Sequence, residues 1–190
     1  EMLSHTFFER HTAEFYDFYR QKLIVHGAKP NAAHLRLAEL EREGKCAAVV
    51  TQNIDGLHQA AGSKEVLELH GSVLRNHCTR CGRFYGLDDI LKMKGVPKCG
   101  CGGVIKPDVV LYEEGLDNEV IERSIAHIRK ADMLIIGGTS LVVYPAAGLI
   151  DYYHGNKLVL INKSATSRDG QADLVISDSI GKVLGDAVGV

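Results

Sequence analysis

The sequence lacks the features that would assign it to a membrane or nucleic-acid-binding class. No apolar run approaches the ~18 residues that a transmembrane helix needs, and no secretory signal peptide is recognisable. Neither basic nor acidic residues are in excess: the sequence has 22 basic and 24 acidic residues and a formal net charge of −2. These charges are interspersed, whereas phosphate binding needs concentrated Lys and Arg. We therefore expect a cytoplasmic monomer that contacts neither membrane nor nucleic acid directly.

Internal repeats and low-complexity segments are also absent. Hydrophobic residues make up 45% and charged residues 24% of the 190 residues, so a packed core is expected. The length suits one domain, or one domain with a small inserted module. The sequence begins Glu1-Met2-Leu3-Ser4 and runs at once into an amphipathic segment, so we expect it to be part of a longer chain.

Short apolar segments alternate with helical ones along most of the sequence. Ser4 and Asn31 are candidate N-caps of two helices. Strands are predicted at residues 46–51, 66–69, 133–136, 157–161 and 174–176, with helices near 118–130 and 146–154. This alternation predicts an α/β fold: an open, mostly parallel, Rossmann-like sheet with helices on both faces. Ligands of such sheets bind beyond the carboxyl ends of the strands.

A cysteine-rich stretch from about residue 73 to residue 110 interrupts this alternation. Two cysteine pairs from separate turns can complete a tetrahedral four-thiolate site, which suits zinc in a purely structural role. The alternatives are two disulfides, which a cytosolic compartment disfavours, or His77 in place of one sulfur. Cys46 lies in an apolar strand and is interpreted as a core thiol. The four predicted zinc ligands are Cys78, Cys81, Cys99 and Cys101.

Polar residues follow four predicted strands. Residues 51–59 read Thr-Gln-Asn-Ile-Asp-Gly-Leu-His-Gln, and Glu68-Leu69-His70-Gly71 follows the next strand. Gly137-Gly138-Thr139-Ser140 and Asn162-Lys163-Ser164 end two later strands. Two of them have a plain structural alternative: Asp55 can cap a helix, and an isolated histidine is more often structural than catalytic. Four polar strand ends on one sheet nevertheless predict a ligand site of the dinucleotide type.

Together these segments resemble the sirtuin family of NAD-dependent protein-lysine deacylases. Its motifs TQNID-x-LH, LHG, paired cysteines, RPxxV, GTSLxVxPA and LIN have counterparts in order at residues 51–59, 69–71, 78–101, 106–110, 138–146 and 160–162. The resemblance runs from about Leu3 to the C-terminus. It implies an NAD-binding domain at residues 1–72 and 109–190, whose N-terminal helices belong partly to a small helical module. A zinc-binding module is expected at residues 73–108.

By this resemblance the chain uses NAD⁺ to remove acetyl groups from protein lysines, with acetyl-lysine proteins or peptides as partners. The acyl oxygen attacks the nicotinamide ribose, nicotinamide leaves, and His70 acts as the general base on the ribose hydroxyls. A histidine suits this step because its ordinary pKa of about 6.5 lets it accept a proton at neutral pH. The products are nicotinamide, free lysine and O-acetyl-ADP-ribose.

The resemblance also implies roles for individual residues. His70 and Asn53 are catalytic, Val110 and Tyr112 line the acyl-lysine tunnel, and the four cysteines hold structural Zn²⁺. The implied NAD⁺ contacts are Gln52, Asn53, Ile54, Asp55, Gly138, Thr139, Ser140, Asn162, Lys163, Ser164 and Ile180.

Three departures from the family pattern qualify these expectations. The N-terminal strand, the GAGIS-type loop and the DFR segment have no counterpart, so we expect the isolated 190-residue chain to bind NAD⁺ poorly and to be inactive. Tyr112-Glu113-Glu114 replaces the usual FGE. The Tyr-x-x-Arg pair of succinyl-preferring sirtuins is replaced by Tyr16-x-x-Tyr19, with Arg20 one position later. One residue along a helix is a rotation of about 100°, so deacetylation is expected over desuccinylation.

Two rival functions share part of this pattern. One is protein mono-ADP-ribosyl transfer by the same family, and the other is a non-catalytic module that binds NAD and zinc. The presence of both His70 and Asn53 favours the enzyme.

Overall fold

The computed structural model describes residues 2–187, which form two compact units. The first unit comprises residues 2–28, 52–56 and 68–117, and the second comprises residues 29–51, 57–67 and 118–187. None of the helices within residues 2–187 has the length and apolar composition required to cross a bilayer. The inferred division into residues 1–72 with 109–190 and residues 73–108 stays a prediction.

The first unit begins with two short helices, α1 (His5–Arg10) and α2 (Thr12–Phe18), followed by a π-helical turn (Tyr19–Leu23). The Ser4 hydroxyl accepts a hydrogen bond from the Phe7 amide at 3.1 Å, which confirms the predicted cap. Phe15, Tyr16 and Tyr19 are fully buried, and their rings pack against one another at centroid distances of 5.5–6.0 Å. The aromatic stripe therefore forms the core of this unit.

The rest of the first unit is an antiparallel sheet of order β4-β3-β5 with a short helix α5 (Leu87–Lys92). The register of its central strand shifts between Ser72 and Asn76. Within this irregularity the side-chain amide of Asn76 donates to the Val73 carbonyl oxygen. The three strands are β3 (Gly71–Cys78), β4 (Phe84–Gly86) and β5 (Ile105–Val109).

The second unit contains a parallel sheet of order β6-β7-β8, and separately the pair β1-β2. Helices α3 and α7 pack on the sheet through Ala33, Leu184 and Ile161, and the Asn31 side chain caps α3 by accepting from the His34 amide. The predicted α/β fold with parallel strands is confirmed. The strands are β1 (Val49–Thr51), β2 (Val66–Glu68), β6 (Leu134–Gly137), β7 (Leu158–Ile161) and β8 (Leu174–Ile176). The α-helices are α3 (Ala32–Arg42), α4 (Leu57–Ala61), α6 (Asn118–Lys130) and α7 (Ile180–Asp186). Two 3₁₀ segments span Ala146–Tyr152 and Asp169–Gln171.

Candidate active site and metal centre

His70 lies between β2 and β3, and its backbone is hydrogen-bonded to the residue that directly follows β5. The His70 carbonyl oxygen accepts from the Val110 amide at 3.0 Å. The next residue, Gly71, has a φ of +73°, and a Cβ there would lie 1.8 Å from the Asp108 carbonyl oxygen. Only glycine fits both the left-handed backbone and this close approach. Glycine at position 71 therefore allows β5 to pair closely with β3 directly after His70.

The imidazole of His70 is oriented by the segment that follows β1. His70 Nδ1 lies 3.1 Å from the Gln52 carbonyl oxygen. A carbonyl oxygen only accepts, so Nδ1 carries the hydrogen in the neutral ring and Nε2 carries the lone pair. This arrangement is the one that a general base needs, because the ring is held by one nitrogen while the other is ready to take a proton.

Residues 52–56 form the second part of the candidate site in the first unit. Their path is set by β3, since the Ile54 carbonyl oxygen accepts from the Val73 amide at 3.0 Å. Gly56 has a φ of +72°, and a Cβ there would press on the Leu74 side chain at 2.5 Å. The structure thus brings Gln52 and Ile54 together with His70 in the first unit. Asn53 and Asp55 belong to the same short segment.

An ion-pair network supports the ends of the strands around His70. The Arg75 guanidinium contacts the Glu68 carboxylate at 2.7 Å and the Asp108 carboxylate at 2.9 Å. The Glu68 side chain is only 8% exposed, so its ion pair with Arg75 is largely shielded from solvent on the carboxylate side. One arginine on β3 therefore links the end of β2 to β5 on either side of the histidine.

The second unit contains a pocket of about 510 Å³ at the carboxyl ends of its parallel strands. The Asn162 side chain accepts from the Thr139 amide at 3.1 Å and donates to the Thr139 carbonyl oxygen at 2.8 Å. The Gly138 amide donates to the Ile161 carbonyl oxygen at 3.1 Å. The turn after β6 is thereby held against the end of β7. The pocket is lined by all the residues of this unit that were assigned to NAD⁺: Gly138, Thr139, Ser140, Asn162, Lys163, Ser164 and Ile180.

Sequence reasoning missed several residues that line the same pocket. Asp178 and Ser179 follow the end of β8, and Ser179 caps α7 by accepting from the Lys182 amide. Asn31, the cap of α3, lies beside Gly181. The pattern that identified the ends of β6 and β7, polar residues directly after an apolar strand, also occurs after β8 and could have identified Asp178 and Ser179.

The four predicted zinc ligands form a single cluster. All four sulfur atoms lie within 4.8 Å of one another, and the separations Cys78–Cys101, Cys81–Cys99 and Cys81–Cys101 are 3.5, 3.6 and 3.5 Å. These distances exclude disulfides, whose sulfurs are about 2.05 Å apart. His77 lies outside the cluster, with its ring against Phe84.

The donor set and its surroundings fit zinc. A Cβ on Gly103 would lie 2.6 Å from the Cys78 sulfur, so this glycine leaves space for the metal-binding turn. The Cys101 amide and the Tyr85 hydroxyl lower the pKa of Cys99 to about 6. The Arg83 amide acts in the same direction on Cys81, but the neighbouring sulfurs Cys101 and Cys78 raise the pKa of Cys81 to about 11. Adjacent thiolates repel unless a cation lies between them, and tetrahedral Zn²⁺ with four protein ligands has no open position for substrate.

Val110 and Tyr112, the predicted substrate residues, follow β5 in the first unit. Val110 is half-buried, whereas the Tyr112 side chain is 62% exposed and the intervening Leu111 is buried. The structure therefore presents the tyrosine ring on the surface directly after the strand that supports His70.

The second unit has a parallel sheet with a pocket at its strand ends, and the first unit has a hydrogen-bonded histidine and a four-thiolate cluster. These are the features of a class of nucleotide-binding enzymes with a structural metal. The Sir2 family profile matches residues 1–145. Over 185 residues the chain is 65% identical to an NAD-dependent protein deacetylase of Clostridium acetobutylicum, covering 96% of this chain and 76% of that protein. A second such deacetylase, from Clostridium perfringens, is 65% identical over 190 residues, covering 99% and 78%.

Solved structures agree with this match. A Sir2 bound to an acetylated peptide superposes with a TM-score of 0.88 at 38% identity, covering 96% of this chain and 80% of that chain. A Sir2 complex with a peptide and NAD⁺ gives 0.88 at 40% identity, covering 96% and 79%. The chain belongs to the Sir2, or sirtuin, family.

Proposed function

We propose that the chain removes acetyl groups from protein lysines as an NAD-dependent deacetylase, with His70 as the general base. The observation that carries the proposal is the contact of His70 Nδ1 with the Gln52 carbonyl oxygen at 3.1 Å. In the neutral ring this contact places the hydrogen on Nδ1 and leaves Nε2 able to accept a proton from a substrate hydroxyl. NAD⁺, as co-substrate, supplies the ribose that receives the acetyl group.

The chain's own residues contribute binding and orientation. Gln52, Asn53, Ile54 and Asp55 are proposed to bind the nicotinamide end of NAD⁺, because they share a segment with the carbonyl group that holds His70. The pocket of the second unit is proposed to bind the adenosine end. Its Gly138 has a φ of +64°, and glycine at a strand end lets backbone amides approach a phosphate closely.

Acyl-lysine is proposed to bind along residues 110–112, which directly follow β5. The half-buried Val110 offers an apolar wall, which favours a neutral acetyl group. Zinc on the four cysteines is proposed to hold β3 to the loop before β5, and to take no part in the reaction.

The proposal is tested by incubating the purified full-length enzyme, the form used in all the activity measurements below, with an acetyl-lysine peptide and NAD⁺ and measuring nicotinamide and O-acetyl-ADP-ribose. Replacing His70 by Ala should lower turnover by roughly 10²- to 10⁴-fold, the usual contribution of a general base. His26→Ala is the matched control, because His26 is exposed. Full turnover in the His70 variant would contradict the assignment, and a gain of ADP-ribose on the protein substrate would indicate ADP-ribosyl transfer instead.

A further inference from the structure

We infer that Glu113 is a positioning residue that ties the substrate-binding turn of this enzyme to the start of helix α1. The inference rests on the proposed deacetylase function, because it assigns a role in binding the acetyl-lysine peptide. All the residues that carry it lie in the first unit.

Glu113 occupies a backbone position that favours glycine. Residues 111–114 form a four-residue turn in which the Glu114 amide donates to the Leu111 carbonyl oxygen at 3.0 Å. Glu113, at its third position, has a φ of +77°, where type II turns select glycine. Within residues 2–187, Leu141 is the one other non-glycine residue with a positive φ. A residue that keeps such a backbone at a cost in free energy needs a compensating contact of its side chain.

That contact is with Thr6. Glu113 Oε2 accepts from the Thr6 amide at 2.9 Å and from the Thr6 hydroxyl at 2.7 Å. Thr6 is the second residue of α1, so its amide has no acceptor inside the helix. The Ser4 hydroxyl already accepts from Phe7, and the two side chains therefore satisfy neighbouring amides. The Thr6 hydroxyl and amide hold the pKa of Glu113 below its ordinary value, as expected for hydrogen bonds donated to the carboxylate form.

The backbone of the turn is joined to the same helix start. The Tyr112 amide donates to the Leu3 carbonyl oxygen at 2.9 Å, and the His5 amide donates to the Tyr112 carbonyl oxygen at 3.0 Å. The Tyr112 ring remains exposed. Tyr112 is thus held on both sides through its backbone and through its neighbour's carboxylate, while its ring stays available to a peptide.

A direct attraction between Glu113 and a basic peptide is the competing explanation. In the structure, both hydrogen bonds from Thr6 end on the same carboxylate oxygen, so the carboxylate is directed at α1. Positioning and direct attraction predict different results for Gln at this position, because the Gln amide oxygen can still accept from Thr6 but carries no charge.

The test is a comparison of Glu113→Gly, Glu113→Gln and Thr6→Val in the active enzyme, by steady-state kinetics on an acetyl-lysine peptide. Glu113→Gly relieves the backbone but removes the tie, so it should melt no lower than the unsubstituted enzyme. Its peptide KM should nevertheless rise roughly three- to tenfold, which is less than the full effect of a lost hydrogen bond to a charged group, because the lost bonds act on the peptide only through the position of Tyr112. The KM for NAD⁺ and kcat should change by less than about twofold, because only peptide binding is affected.

The other variants make the inference falsifiable. Glu113→Gln should recover at least half of the lost peptide affinity, and Thr6→Val should show a smaller rise in peptide KM than Glu113→Gly. Glu122→Ala, which removes a carboxylate from the exposed part of α6, is the control. An unchanged peptide KM in Glu113→Gly, or a Gln variant as weak as the Gly variant, overturns the inference alone. Failure of the unsubstituted enzyme to release nicotinamide in the presence of acetyl-peptide would contradict the proposed function itself.

Discussion

The side chain of Asn162 holds the backbone of Thr139 at both ends, accepting from its N–H at 3.1 Å and donating to its C=O at 2.8 Å. One amide group therefore joins the ends of β6 and β7. Asn162 also lines the pocket of the second unit, and its contact with NAD⁺ stays a prediction. In the structure its side chain fixes the turn that carries Thr139 and Ser140, so we expect Asn162 to support ligand binding through the shape of the pocket as well.

This relationship predicts the effect of Asn162→Ala. Both hydrogen bonds are lost, so the turn at Gly138–Ser140 should loosen and the KM for NAD⁺ should rise roughly tenfold, the equivalent of about 1.4 kcal/mol. The KM for acetyl-peptide should stay within about twofold. Steady-state kinetics with each substrate varied in turn provides the measurement. Asn156→Ala, at an exposed loop position, should leave both constants unchanged; equal rises in both KM values for the Asn162 variant would refute a local role.

Gly71→Ala should destabilise the fold more than any other glycine substitution in a comparable backbone conformation. A Cβ at this position would lie 1.8 Å from the Asp108 carbonyl oxygen, whereas at Gly27, with a φ of +70°, nothing lies within 4 Å. Gly27→Ala should therefore cost only the left-handed backbone, about 1–2 kcal/mol, and Gly71→Ala should cost about 2 kcal/mol or more beyond that. Urea unfolding of the two variants measures the difference. Equal stabilities would show that β5 can move away.

Removal of one zinc ligand should unfold the first unit locally and release the metal. Cys101→Ser leaves three sulfurs of the cluster, so one equivalent of zinc per chain should be lost from the purified protein, with a lower melting temperature. Metal analysis and thermal melting test this. Cys46→Ser is the matched control, since Cys46 lies in the other unit and should leave the zinc content at one per chain. A Cys101 variant that retains full zinc would contradict the four-cysteine site.

The stability of the chain should depend on pH through Glu114. Burial raises the pKa of Glu114, but hydrogen bonds from the Leu111 amide, His5 and Lys106 together hold it below its ordinary value. A carboxylate with a lowered folded-state pKa stabilises above its unfolded pKa of about 4.3. That stabilisation is lost as the pH falls through the lower folded value. The free energy of unfolding should therefore drop below about pH 4.5, and Glu114→Gln should show a smaller drop. A variant with an undiminished drop would assign the effect to other groups.

The enzyme should prefer acetyl-lysine to succinyl-lysine. Tyr19, at the position where succinyl-preferring relatives carry arginine, is fully buried. The Arg20 guanidinium donates to the carbonyl oxygens of Met93 and Gly95 at 3.0 and 2.6 Å, so this cation is already engaged. We expect kcat/KM for an acetyl-peptide to exceed that for the matched succinyl-peptide by at least about tenfold, the factor for one missing charge-assisted contact. A preference for succinyl would refute this assignment.

The sequence predicted the second unit better than the first. β7 and β8 are apolar runs next to glycine and polar residues, so their positions could be placed within one residue. α6 matches its predicted range because its apolar residues repeat at helical spacing. The antiparallel strands β3, β4 and β5 were not predicted, because a four-cysteine cluster and a register shift are features of that part of the fold, and neither leaves a periodic apolar pattern.

The site shows the same contrast. The cysteine cluster was predicted from spacing with two disulfides or a His77 ligand as alternatives, and the distances between the sulfurs decide for the four-cysteine cluster. The roles of Glu113 and Asn162 could not be predicted, because each acts on the backbone of a residue far away in the chain. A motif describes which residues are present, and the contact partners of each appear only when the strands are placed together.

The close approach of β5 to Gly71 separates two constraints that the short motif Leu69-His70-Gly71 combines. The proposed role of His70 is chemical, whereas Gly71 is required by the Asp108 carbonyl oxygen next to it. A descendant that had given up catalysis while keeping this architecture would be free to replace the histidine but not the glycine. In a distant sequence, the glycine at this point therefore reports inheritance of the fold, and the histidine beside it reports continued selection for turnover.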